Sequence, residues 1–114
     1  MNDTFYITTP IYYVNSHPHI GHAYTSIATD VLTRFWKLFG ADTYFLTGTD
    51  EHGQKVQEAA IKNNTTPIDH VNKYVTRFKQ TWEKIDIDYT DFIRTTEKRH
   101  TDQVREILNS LYLK

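Results

Sequence analysis

Two hydrophobic periods alternate along the chain. Thr4-Phe5-Tyr6-Ile7-Thr8 is β-branched and aromatic and stops at Pro10, which predicts a short strand. Ile11 to His17 carries Tyr12, Tyr13, Asn15 and Ser16 and reads as a loop. Pro18 suits the first turn of a helix, with Ser16 or His17 at its cap. From Ile20 the period lengthens. Ile20, Tyr24, Ile27, Ala28, Val31, Leu32, Phe35, Leu38 and Phe39 recur three and four apart and predict one apolar helix face, stopped by Gly40. Thr43 to Thr47 is a second strand, ended by Gly48. Glu51 to Ile61 is a second helix with a modest face at Val56, Ala59, Ala60 and Ile61. After a turn at Asn63 to Thr66, Pro67 opens a third helix with Ile68, Val71, Val75, Phe78, Trp82 and Ile85 on one side. Phe92 to Thr96 is a third strand. Val104, Ile107, Leu108 and Leu111 give the last helix its face.

Strands that alternate with helices imply crossover units and a parallel sheet. The predicted fold class is α/β, one half of a doubly wound nucleotide-binding sheet with flanking helices. Ligands of such sheets bind beyond the carboxyl ends of the strands. Two segments lie there, Pro10 to His22 and Gly48 to Gly53, and neighbouring strands should bring them face to face.

Composition narrows the classes. Thirteen Lys+Arg against fourteen Asp+Glu leave a net charge of −1 over 114 residues, which argues against a strongly basic nucleic-acid module. No apolar run approaches the ~20 residues of a membrane span. The opening Met1-Asn2-Asp3-Thr4 lacks the marks of a secretory signal, and a cytoplasmic protein is the default expectation. The absence of Cys removes a disulfide framework and a thiolate zinc site.

The chemistry-bearing residues cluster in the two segments. His19-Ile20-Gly21-His22 puts two imidazoles on one helix face at an N-terminus, where free N–H groups and the helix dipole favour an anion. Gly21 between them leaves the backbone approachable. Donors at a positive helix end describe a triphosphate site. A structural His pair is an equal alternative on spacing alone. A zinc site that gathers His17, His19, His22 and His52 with Asp50 is a third. Asp50, after a strand, suits an ammonium group, but on spacing alone a helix cap is the preferred role. Lys73, Arg77, Lys79, Lys84, Arg94, Lys98 and Arg99 are interleaved with acids and read as a solvated face.

Taken together, these segments resemble the opening of the bacterial methionyl-tRNA synthetase family. The matching runs are Phe5 to Asn15, His19 to Tyr24, Leu46 to Lys55 and Phe92 to His100, in order and over nearly the whole chain. His-Ile-Gly-His is a signature of class I aminoacyl-tRNA synthetases. The resemblance implies that His19 and His22 hold ATP phosphates and act in catalysis, and that Gly21 lies against the nucleoside. It implies that Asp50 takes the α-ammonium of methionine, beside a pocket of Pro10, Ile11 and Tyr13. It implies ATP with Mg2+, L-methionine and tRNA(Met) as partners of the parent protein, with tRNA reached through parts other than this segment's surface.

The family has a second half of the fold with a Lys-Met-Ser-Lys-Ser loop, a connective domain that often holds zinc, and a helical anticodon-binding domain. None of these runs occurs here. Residues 1–114 are therefore expected to be the amino-terminal half of the catalytic domain, inactive alone, with no metal of its own. Such a piece is expected to self-associate through an exposed strand edge. Rival readings are another nucleotidyltransferase with a His-x-Gly-His motif, a non-catalytic binding module and a His-ligated metal module.

Overall fold

The computed structural model describes residues 3–113. Met1, Asn2 and Lys114 lie outside the described residues, and the reading of the opening Met1-Asn2-Asp3-Thr4 falls partly there. The order is β1 (Thr4–Thr8), β2 (Tyr12–Tyr13), α1 (Ile20–Leu38), β3 (Asp42–Asp50), α2 (Gln54–Lys62), α3 (Pro67–Lys84), β4 (Asp91–Arg94) and α4 (Lys98–Tyr112). The sheet is four-stranded and every pairing is parallel, as the alternation of periods predicts.

β3 is the centre. β1 pairs with Asp42 to Leu46, and the two-residue β2, inside the expected loop, continues farther along with Tyr12 on Thr49 and Tyr13 on Asp50. β4 runs from Leu46↔Asp91 to Thr49↔Arg94. Leu46 and Thr49 each have partners on two sides, so β1 and β2 share one edge of β3 and β4 takes the other. β3 is longer than expected because Gly48 does not end it. A Cβ at Gly48 would stand 2.0 Å from the Ile93 carbonyl oxygen, so only glycine admits β4 this closely.

The core gathers Val14, Phe45, Val56, Val71, Val75, Phe78, Trp82 and Phe92 between the sheet and α3. The predicted α3 face is buried at Val71, Val75, Phe78 and Trp82, whereas Ile68 and Ile85 at its ends are exposed. Thr66 caps the helix by accepting from the Asp69 N–H, with Pro67 in the first turn.

α1 differs from expectation in which side it buries. Ser26, Thr29, Asp30 and Thr33 are buried, while Ile20 is 87% and Leu38 85% exposed. The inward polar groups are satisfied locally. Thr29 and Thr33 hydroxyls donate to carbonyls one turn back, Ser26 meets the Tyr12 hydroxyl at 3.0 Å, and Asp30 accepts from Arg34 and the Asp88 N–H. The apolar stripe faces outward. α4 likewise buries none of its residues, and Val104, Ile107, Leu108 and Leu111 are exposed. No described helix is long and apolar enough to cross a membrane.

Candidate active site

α1 begins at Ile20 and its cap is His19, two or three residues later than Ser16 or His17. Pro18 stands before the helix rather than in it, because the imidazoles supply the capping. His19 Nδ1 accepts from the Gly21 N–H at 3.1 Å, and His22 Nδ1 accepts from the His19 N–H at 3.1 Å. This is a capping box built from two histidines. An Nδ1 that accepts carries no proton, so each neutral ring holds its proton on Nε2. The rings stack with centroids 3.8 Å apart. Their Nε2–H groups therefore form a pair of donors at the positive end of a long helix. Gly21 has a second reason to lack a side chain: a Cβ there would press on the His19 ring at 3.0 Å.

His22 is half-buried, and burial together with the neighbouring His19 ring pushes its pKa below the ordinary imidazole value. The neutral, cap-competent tautomer is thus favoured. Tyr12 fixes the ring's position. Its ring meets His22 edge-on at 4.8 Å, and its hydroxyl reaches the His22 carbonyl at 3.4 Å. Phe78 of α3 packs on the other side at 5.2 Å.

Asp50 is the last residue of β3 and is half-buried. It does not cap α2, whose cap is Gly53 without a side-chain bond. Three residues separate Asp50 from the helix, too far for its oxygens to reach the first turn. Tyr13 pairs with Asp50 across the sheet and is exposed. Pro10 and Ile11 are exposed in the break between β1 and β2. Tyr13, Asn15, Asp50, His52 and Gly53 line an open cleft of about 500 Å³. A larger hollow of about 630 Å³ lies against Arg34, Lys79, Glu83 and Asp86 and contains none of these residues.

His52 lines the cleft with Asp50, but among the described residues the four histidines and Asp50 do not close into a metal site. His17 pairs instead with Arg77 and packs on Tyr74, and among the described residues no three His, Cys, Asp or Glu side chains form a metal-ligand set.

The sequence reading missed the residues behind Asp50. Glu51 is fully buried. Its Oε1 accepts from Thr49 Oγ1 and Arg94 Nε, both at 2.7 Å; its Oε2 accepts from Arg94 Nη2 at 3.0 Å and from the Thr96 hydroxyl. Burial alone would raise this carboxyl. The Arg94, Thr96 and Thr49 hydrogen bonds outweigh it and hold the group below the usual carboxylate range. Arg94 is thus a structural partner, not part of a solvated face, and it also donates to Asn72 Oδ1 at 2.7 Å. His70 of α3 was missed too. It is buried, and its Nε2 donates to the Val14 carbonyl at 3.1 Å, which ties down the loop before the histidine pair. A motif-length match at Phe92 to Thr96 was the available signal, but charge alternation hid its role.

Comparison with known proteins shows the family of the chain. A family model described as "tRNA synthetases class I (M)" matches residues 5–114. The methionine–tRNA ligase of Streptomyces coelicolor is 54% identical over 109 residues, covering 95% of this chain and 20% of that protein. That of Rickettsia conorii is 57% identical over 104 residues, 91% of this chain and 20% of its own length. The chain therefore spans about a fifth of these relatives. Among solved structures, Mycobacterium tuberculosis methionyl-tRNA synthetase in complex with methionyl-adenylate superposes with a TM-score of 0.85 at 41% identity, covering 90% of this chain and 20% of that one. A LeuRS of Agrobacterium radiobacter reaches a TM-score of 0.90 at 22% identity over 97% of this chain and 15% of that one, a likeness of fold alone. The family match extends over both strand-end segments and the Phe92 to Thr96 corner, and on that ground the chain belongs to the class I tRNA synthetases of the methionine family.

Proposed function

We propose that this segment is the amino-terminal half of the catalytic domain of a methionine–tRNA ligase, the part that grips ATP and methionine. The observation that carries the reading is the tautomer lock at the start of α1. Both Nδ1 atoms are committed to backbone N–H groups, which leaves both Nε2–H donors for an anion. Asp50, at the end of the neighbouring strand, supplies the one feature a free amino acid requires, an acceptor for its ammonium group.

On this reading Asp50 holds the α-ammonium of methionine, with Pro10, Ile11 and Tyr13 around the side chain. Gly21 receives the nucleoside, and His19 and His22 receive the phosphates of ATP, which enters as its Mg2+ complex. A methionine carboxylate oxygen attacks the α-phosphorus, and the bond to pyrophosphate breaks. His19 and His22 stabilise charge that develops on the phosphate oxygens during that step. The adenylate carbonyl is then attacked by the terminal ribose hydroxyl of tRNA(Met), and AMP leaves. Neither step asks this segment for a general base; its contribution is alignment and charge stabilisation. Lysines of a second half-domain complete the triphosphate grip, tRNA binds elsewhere on the parent protein, and any zinc belongs to a connective domain. The working compartment is the cytoplasm.

The test is methionine-dependent exchange of pyrophosphate into ATP by the full-length protein that carries this segment. His22→Ala is expected to lower kcat by about 10² to 10³, the usual result of removing one transition-state donor. Asp50→Ala is expected to raise the KM for methionine while the KM for ATP holds. Exchange that survives both substitutions would overturn the assignment.

A further inference from the structure

The Phe92 to Thr96 corner touches no ligand in the proposed reaction, yet its polar groups converge on the end of β3. Thr95 takes hold of both peptide groups that flank Asp50. Its backbone N–H donates to the Thr49 carbonyl at 3.2 Å, the peptide before Asp50. Its hydroxyl accepts from the Glu51 N–H at 2.8 Å, the peptide after Asp50, and lies 3.1 Å from His52 Nδ1. Two fixed peptide planes determine φ and ψ of the residue between them, and so the direction of its Cα–Cβ bond. The Glu51 carboxylate, locked by Arg94 and Thr96, prevents the next residue from swinging. Thr95 itself is buried, which limits the access of water to its hydroxyl. His22, on which His19 stacks, is held differently, by Tyr12 and Phe78.

We infer that Thr95 is a positioning residue for methionine: it aims Asp50 at the ammonium group without touching the substrate. The inference rests on the reading of Asp50 as the ammonium acceptor. It assigns a task to the Phe92 to Thr96 motif that helix and strand patterns leave unexplained.

The test is steady-state exchange kinetics on the full-length protein with Thr95→Val, Thr95→Ser and Asp50→Asn, each checked by its thermal melt. Valine keeps the volume and leaves the Glu51 N–H without an acceptor. Its expected effect is a roughly tenfold rise in KM for methionine, the scale of one orphaned buried donor. The KM for ATP should stay within about twofold, and serine should restore the methionine value, because it returns the hydroxyl alone. Thr95→Cys, which accepts only weakly, gives the same split in smaller measure if the valine chain does not fold. A loss that strikes methionine and ATP equally, or no change in folded Thr95→Val, overturns the inference. If Asp50→Asn abolishes methionine use while Thr95→Val does not alter it, the inference falls and the Asp50 reading stands. If Asp50→Asn leaves methionine use intact, both fall.

Discussion

Glu51 shows how a single buried carboxylate ties stability to pH. In the folded chain the Arg94 fork and two hydroxyls hold it below the usual carboxylate range. In the unfolded chain it regains its ordinary proton affinity. The unfolded state therefore binds more protons between the two values, and stability rises with pH through that window. The contribution is complete above the ordinary carboxylate range and is lost as pH falls through the folded value. Urea melts from pH 7 to pH 3 should show this loss. Arg94→Met should cost about 3–5 kcal/mol at pH 7, because a buried charge loses its partner, and should flatten the acid slope. Equal acid slopes in the two proteins would show that Glu51 is not the group responsible. His22 is the reverse kind of device: burial and the neighbouring His19 push its pKa down, which favours the neutral form that preserves the cap and aims its other nitrogen.

At the scale of elements, β3 organises everything. It pairs with β1, β2 and β4, and its last residues carry both the cleft and the buried Glu51 cluster. Its close approach to β4 depends on Gly48. Gly48→Ala puts a methyl group into the Ile93 carbonyl and should destabilise the chain by about 1–3 kcal/mol or more as β4 is forced away. Because Thr95 follows β4 directly, amide exchange at Glu51 and His52 should quicken in the same variant. A chain as stable as the parent, with unchanged exchange, would show that the two strands have room to give. The α3 helix is the other organiser. One face supplies Val71, Val75, Phe78 and Trp82 to the core, and His70 and Arg77 hold the loop that leads to the histidine pair.

The whole molecule is a slab of 51 × 45 × 18 Å with a radius of gyration of 16.4 Å, against about 13 Å for a compact chain of this length. One side of the sheet holds the core, while the α1 stripe, the α4 face and, among the described residues, the free edge of β1 remain uncovered. Exposed apolar surface with an unpaired strand edge drives association. Sedimentation of the isolated 13.5 kDa chain should therefore give a mass that rises with concentration. Tyr6→Lys with Ile27→Lys should lower it by placing charge on the edge strand and the stripe. A monodisperse monomer with a cooperative melt at high temperature would contradict this.

What the sequence determined by itself were the local matters: the first strand, the α3 helix opened by Pro67, the parallel order, and Pro10 to His22 and Gly48 to Gly53 as the two chemistry-bearing segments. Periodicity, caps and motifs are local or short-range, so a linear reading reaches them. Tertiary structure decided which face of each helix is inside. The α1 stripe obeys the helical period, but the partner it meets is set by the sheet, and Ser26, Thr29, Asp30 and Thr33 face inward because their polar groups find bonds there. It also moved the cap from Ser16 or His17 to His19 and freed Asp50 from capping, since both depend on where the chain turns after leaving the sheet. The Glu51–Arg94 pair and the grip of Thr95 on Asp50 join residues more than forty positions apart. Charge alternation along the chain carries no record of such a pairing; only the parallel register of β3 and β4 brings them together.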